Sequence, residues 1–201
     1  MSKKLTVLAA LLAAISVLAA CGNDGDISGH KQHTASNGDE VEDADVKFAS
    51  EMIQHHAQAL AMVDLTMGRQ LDPEVSQLAE QIREAQVPEI EQMTEWLTDW
   101  DRPIPETMRG HGNGDGDGEM EMHSDMPGMM SADEMAQLEA AQGAEFQQMW
   151  LEMMIQHHEG AIEMAQTEQS EGKFGPAVEL AENIELAQQD EISTMESLLG
   201  S

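Results

Sequence analysis

Two copies of one pentapeptide carry the chemistry of this chain: Met52-Ile53-Gln54-His55-His56 and Met154-Ile155-Gln156-His157-His158. On a helix, Met52 faces His55 at i, i+3 and His56 at i, i+4, so a thioether and two imidazoles converge within a turn and a half. Met154, His157 and His158 repeat the arrangement, and Met62 and Met164 follow on the same helices. At about 100° per residue, Phe48, Met52, His56, Ala59, Leu60 and Val63 share one stripe, with His55 and Met62 on its flank. Burying adjacent histidines is costly unless something pairs them, which favours function over packing for both strings. On the following helix of each copy, Gln86, Glu89 and Met93, and Gln188, Glu191 and Met195, share the stripe of Ile82 and Leu97. An acid on an apolar stripe needs a partner, either a histidine or a bound cation across the helix interface.

The donor set discriminates between metals. Ferritin-type carboxylate bundles use Glu-x-x-His, which this chain lacks, whereas Met-x-x-His occurs at Met52/His55, Met108/His111, Met120/His123 and Met154/His157. Thioether suits Cu(I) and imidazole serves both Cu(I) and Cu(II), so copper, with Cu(I) favoured, or silver by the same softness, is expected rather than iron. Between the copies, residues 108–130 hold six Met, two His and six Gly with no periodic apolar face. They read as a mobile secondary capture loop with Met108, His111, Met120, Met122, His123, Met126, Met129 and Met130 as ligands, since no core is expected to claim them. Taken singly, Met62, Met93, Met164 and Met195 also suit core packing. Asn113-x-Asp115-x-Asp117-Gly118 resembles the start of a calcium loop, but its twelfth position is Ser124, and it carries little weight.

The elements that position these residues follow from a duplication. Residues 48–97 align without a gap on 150–199 with 17 identities in 50 positions, including Ala59/Ala161, Leu78/Leu180, Ile82/Ile184 and Leu97/Leu199. Each copy reads as two helices. The first starts near Asp43 to Asp45 and runs to about Gly68, and Asp72-Pro73 caps the second, which ends before Arg102-Pro103. In copy two, Ser131 to Glu134 is a capping box opening a short helix that ends or bends at Gly143. A long helix then runs to about Gly172, and Gly175-Pro176 starts the last. Pro88 falls inside the second helix and predicts a kink. Strand signals are absent, with 3% aromatic residues. The expected fold is all-α, a ferritin-like antiparallel four-helix bundle of two duplicated hairpins.

Lys3 and Lys4 precede an uncharged run from Leu5 to Ala20 that ends at Cys21, the only cysteine. The segment has the form of an export signal, and Leu18-Ala19-Ala20-Cys21 resembles a bacterial lipobox, which makes Cys21 a lipid anchor on the extracytoplasmic face of a cell membrane. The domain plan is a signal at 1–20, a flexible tether at 21–43 containing His30 and His33, and a duplicated domain at 44–201. Within that domain, copy one is 44–100, the loop 101–130 and copy two 131–201. A net charge of -30 excludes nucleic-acid binding and draws cations.

These residues resemble the bacterial family called domain of unknown function three hundred and five. Its patterns are similar to Asp45, Phe48, Met52, Ile53, His55, His56, then Gln86, Glu89, Ile90, Met93, Trp96 and Leu97. Copy two matches at Met154, Ile155, His157, His158, Gln188, Glu191, Ile192, Met195 and Leu199, and the MPGMM string also resembles family members. Gln147 stands where the second Asp would be, Trp150 where Phe would be, and Gln54 and Gln156 where Pro is frequent. The resemblance implies a ferritin-like exported bundle, with some relatives binding copper and supporting copper resistance. The leading reading is a lipid-anchored protein that sequesters or transfers copper. Glu89 and Glu191 would act as direct or supporting ligands beside the histidines and methionines. A copper-handling protein partner and a homo-oligomer are both compatible with this reading. A cuprous or ferrous oxidase and a metal-free structural or partner-binding bundle are the alternatives, and a histidine pH sensor is a variant of the latter.

Overall fold

The computed structural model describes residues 32–107 and 126–200, with Gln32 and His33 as backbone only. The expected signal, Cys21, His30, Met108, His111, Met120, Met122 and His123 lie outside the described residues. Among the described residues five helices form the body: α1 (Asp43–Asp64), α2 (Pro73–Asp99), α3 (Ala132–Ala140), α4 (Gly143–Glu171) and α5 (Gly175–Leu199). A short antiparallel hairpin, β1 (Gln32–Thr34) and β2 (Glu40–Glu42), precedes them.

Local chemistry sets the boundaries. Asp72 caps α2 by accepting from the Glu74 N–H at 2.9 Å, and Pro73 occupies the first turn. Ser131 and Glu134 form the capping box of α3. The chain then breaks for two residues, and α4 begins at Gly143, whose φ of 56° suits glycine. α2 runs unbroken through Pro88. Pro88 is exposed, so the Glu84 carbonyl that loses its helical donor can be solvated.

The hairpin departs from the tether expected over residues 21–43. Its turn is Asn37-Gly38, with Gly38 at φ 97° and the Ala35 N–H donating to the Asp39 carbonyl. This turn chemistry needs no long β-branched run to specify it. Val41 of β2 is 2% exposed and packs into the core, and Glu42 of the same strand is the N-cap of α1.

α1 packs on α2 and α4 on α5, and the two hairpins meet chiefly through α1 and α4. The core is two apolar clusters related by the duplication. One holds Phe48, Met52, Met93, Leu97, Ala161, Met164 and Ile184. The other holds the repeat counterparts Trp150, Met154, Met195, Ala59, Met62 and Ile82, with Leu199 packed against it. The first half of α1 therefore meets the second half of α4 and vice versa, so the two helices are antiparallel about a pseudo-two-fold axis.

The same axis relates two joints. Asp45 is fully buried; its Oδ1 accepts from the Lys173 and Phe174 N–H groups at 2.9 Å each, and its Oδ2 accepts from the Glu42 N–H at 2.6 Å. At the corresponding place in copy two, Gln147 Oε1 accepts from the Asp72 N–H at 2.8 Å. Asp72 is the repeat counterpart of Phe174, so Gln147 performs one of the bonds of Asp45 with an amide oxygen. Among the described residues no helix is long and apolar enough to cross a membrane.

Candidate metal centre

The repeated motifs lie on α1 and α4, the helices that cross at the middle of the bundle. His55 and His157 are repeat counterparts, so contact between them must lie on the pseudo-two-fold axis. Their ring centroids are 3.8 Å apart with planes inclined by 40°. The two motifs therefore meet in one layer between the apolar clusters, and all four histidines in it have 0% exposure.

Each ring is oriented through one nitrogen. His56 Nε2–H donates to Glu89 Oε2 at 2.7 Å, and His158 Nε2–H donates to Glu191 Oε2 at 2.7 Å. These are the acid partners that the apolar stripe required. His55 Nε2–H donates to the Pro127 carbonyl at 3.0 Å. With Nε2 committed as donor, the lone pair of a neutral ring lies on Nδ1. The Nδ1 atoms of His55, His56 and His158 have no hydrogen-bond partner, nor has either nitrogen of His157. Gln86 Nε2 and Oε1 and Gln188 Oε1 are likewise buried and unpartnered. Folded proteins leave few such atoms, and the histidine nitrogens among them, gathered in one layer, point to a ligand or ordered solvent that completes it.

Burial lowers the His55 pKa to about 3; the nearby His56 and His158 add to the shift and the Pro127 carbonyl opposes it. Burial, followed by the charges that His55, His158 and His56 would carry, also pushes His157 well below its ordinary 6.5, and the His55 backbone carbonyl beside its ring opposes the shift. Both rings are neutral at physiological pH, the state in which imidazole ligates a metal.

Met52, Met62, Met93, Met154 and Met195 are fully buried and Met164 is 8% exposed, three in each apolar cluster bordering the layer. Among the described residues no three His, Cys, Asp or Glu side chains are placed to hold an ion. The structure corrects the expectation that no core claims the loop methionines. Met126 and Met130 are 8% and 1% exposed, Met130 lies in the second cluster, and Met129 is half-buried.

The residues that bring this segment inside were not singled out from the sequence. Gln58, fully buried, donates to the Met130 carbonyl at 2.8 Å and accepts from the Met130 N–H at 2.7 Å. Their one sequence signal is a break in the repeat, because Gly160 stands where Gln58 would recur. Pro127 also lines a cavity of about 170 Å³ between α1 and α4, walled by Lys47, Glu51, Met164 and Glu168 among others.

A family model described as a domain of unknown function, DUF305, matches residues 45–199. A DUF305 fragment from Deinococcus radiodurans is 31% identical with a TM-score of 0.68, and the match covers 80% of this chain and 97% of that one. A DUF305 protein of Streptomyces coelicolor, described as secreted, is 31% identical with a TM-score of 0.66, over 78% of this chain and 91% of its own. CopM in its Cu(II)-bound form is 27% identical with a TM-score of 0.61, over 78% of this chain and 95% of its own. CopM has also been determined with Cu(I) bound, at 25% identity. No curated protein matches the chain by sequence. With a matched segment that spans both hairpins and the central histidine layer, the chain belongs to the DUF305 family.

Proposed function

We propose that this protein binds copper at the histidine layer and sequesters it or hands it on outside the cytoplasm, anchored by lipid on Cys21. The observation that carries the reading is the set of five unpartnered ring nitrogens on four fully buried histidines, three of the rings oriented by a carboxylate or carbonyl on the opposite nitrogen. Acceptors behind imidazoles are the usual means of aiming a ligating lone pair. Since no three His or carboxylate side chains converge, the ligand set we propose is mixed: imidazole nitrogens of His55, His56, His157 and His158 with thioethers of Met52, Met62, Met93, Met154, Met164 and Met195. Methionine is flexible enough to turn toward the layer from either cluster, and an N/S set favours Cu(I). Glu89 and Glu191 then act through His56 and His158. Solved structures of the similar CopM in Cu(I)-bound and Cu(II)-bound forms support the same metal. The Met and His of residues 108–123 are proposed as lower-affinity ligands.

The closed His56–Glu89 and His158–Glu191 pairs favour one second reading, a structural bundle in which the histidines serve packing alone. Titration with Cu(I) separates the two. Copper binding predicts a stoichiometric complex that is lost in His55→Ala/His56→Ala and His157→Ala/His158→Ala variants. A structural role predicts the same melting temperature with and without metal.

A further inference from the structure

The duplication predicts that His55 and His157 are equivalent, yet the segment of residues 126–130 treats them differently. On α1, the Gln58 side chain makes a two-bond pair with the Met130 peptide groups, at 2.8 and 2.7 Å, and so fixes the segment three residues beyond Pro127. On α4, the counterpart Gly160 has no side chain, and a Cβ there would overlap the Pro127 carbonyl. Gly128 presses on the same helix. It has φ 74°, and a Cβ on it would lie 2.6 Å from the Gln156 carbonyl oxygen. The segment is thus a strap pinned between a long amide on one helix and bare backbone on the other, and the Pro127 carbonyl meets His55 but not His157.

We propose that Gln58 is a positioning residue for the centre. By seating the strap it holds the proton of His55 on Nε2, so that His55 offers a metal only Nδ1, while no carbonyl of the strap fixes the proton of His157. The two repeats then supply unlike ligands to one site rather than two equivalent half-sites. The metal clause rests on the copper reading above; the state of the ring does not.

Long-range ¹H–¹⁵N spectra of the full ¹⁵N-labelled chain test this. Without metal, His55 gives a solvent-protected Nε2–H signal. On addition of Cu(I), the His55 ¹⁵N shift moves at Nδ1 while the Nε2–H signal persists. Gln58→Ala abolishes the protected signal and lets Cu(I) shift either nitrogen. Gly160→Ala displaces the strap from the opposite side, leaves Gln58 intact and produces the same loss, which guards against a folding defect in the first variant. A wild-type His55 without a protected Nε2–H, or one that keeps it in both variants, overturns the proposal. If the chain takes up no Cu(I), the copper reading fails, and the metal-free spectra still decide the role of the strap.

Discussion

At the scale of single residues, Glu89 and Glu191 are 18% and 16% exposed, so their bonds to fully buried imidazoles are only partly screened by water. Replacing either with Gln weakens the acceptor behind the ring, and Cu(I) affinity should fall by about 10- to 100-fold in a competition titration with little change in helicity. The histidines also set a pH dependence. An unfolded chain protonates its histidines near 6.5, whereas folded His55 does so only near 3. Folding stability from this ring is therefore present above pH 6.5 and is lost as pH falls from 6.5 toward 3. His157, depressed in the same direction, adds to the slope. The melting temperature of the metal-free protein should drop between pH 7 and pH 5, and a His55→Gln/His157→Gln variant should show a flatter curve; parallel curves would contradict the assignment. Part of this site was legible, since the MIQHH repeat set the histidines on or beside the core stripe and the apolar stripe of the next helix left Glu89 and Glu191 in need of a histidine or a cation, of which the structure shows the histidine. Gln58 and Pro127 were not, because their bonds join residues 72 apart and all three run to backbone atoms that no side-chain pattern encodes.

At the scale of elements, Asp45 ties the start of α1 to the turn between α4 and α5 through the Lys173 and Phe174 N–H groups and caps its own helix through the Glu42 N–H, and Gln147 makes the single equivalent bond. Leaving buried donors unsatisfied costs more than one hydrogen bond is worth. Asp45→Ala should cost about 3 kcal/mol and Gln147→Ala about 1 kcal/mol in urea unfolding. Beside Asp45 lies Glu168, 1% exposed, whose pKa is raised to about 9, first by burial and then by Asp45. A carboxyl raised above its ordinary 4.5 contributes stability that is complete below pH 4.5 and lost as pH rises toward 9. Glu168→Gln keeps the neutral shape, so its melting temperature should exceed that of wild type by a growing margin from pH 5 to pH 9. A constant margin would show that Glu168 is already ionised in the folded state. The helices and their caps were readable because Asp72-Pro73, Ser131 to Glu134 and Gly175-Pro176 act locally. The β-hairpin was not, because three-residue strands carry no periodicity and only Asn37-Gly38 marks its turn.

At the scale of the whole molecule, a gapless duplication made the bundle legible before any helix was placed: a hairpin that cannot bury its stripe alone pairs with its copy. Convergence of both motifs in one layer was not legible, because a four-helix arrangement allows one shared centre or two separate ones. The structure shows the shared layer in the 3.8 Å contact of His55 with His157. The measurement that bears most directly on the central claim is Cu(I) stoichiometry together with the melting temperature of residues 22–201. A ligand that binds only the folded chain, at about 1,000 times its Kd, adds about 4 kcal/mol of stability. The account predicts tight Cu(I) binding with a correspondingly large rise in melting temperature, both lost when His55, His56, His157 and His158 are replaced. Unchanged melting at saturating Cu(I), or a rise that survives those replacements, would contradict it.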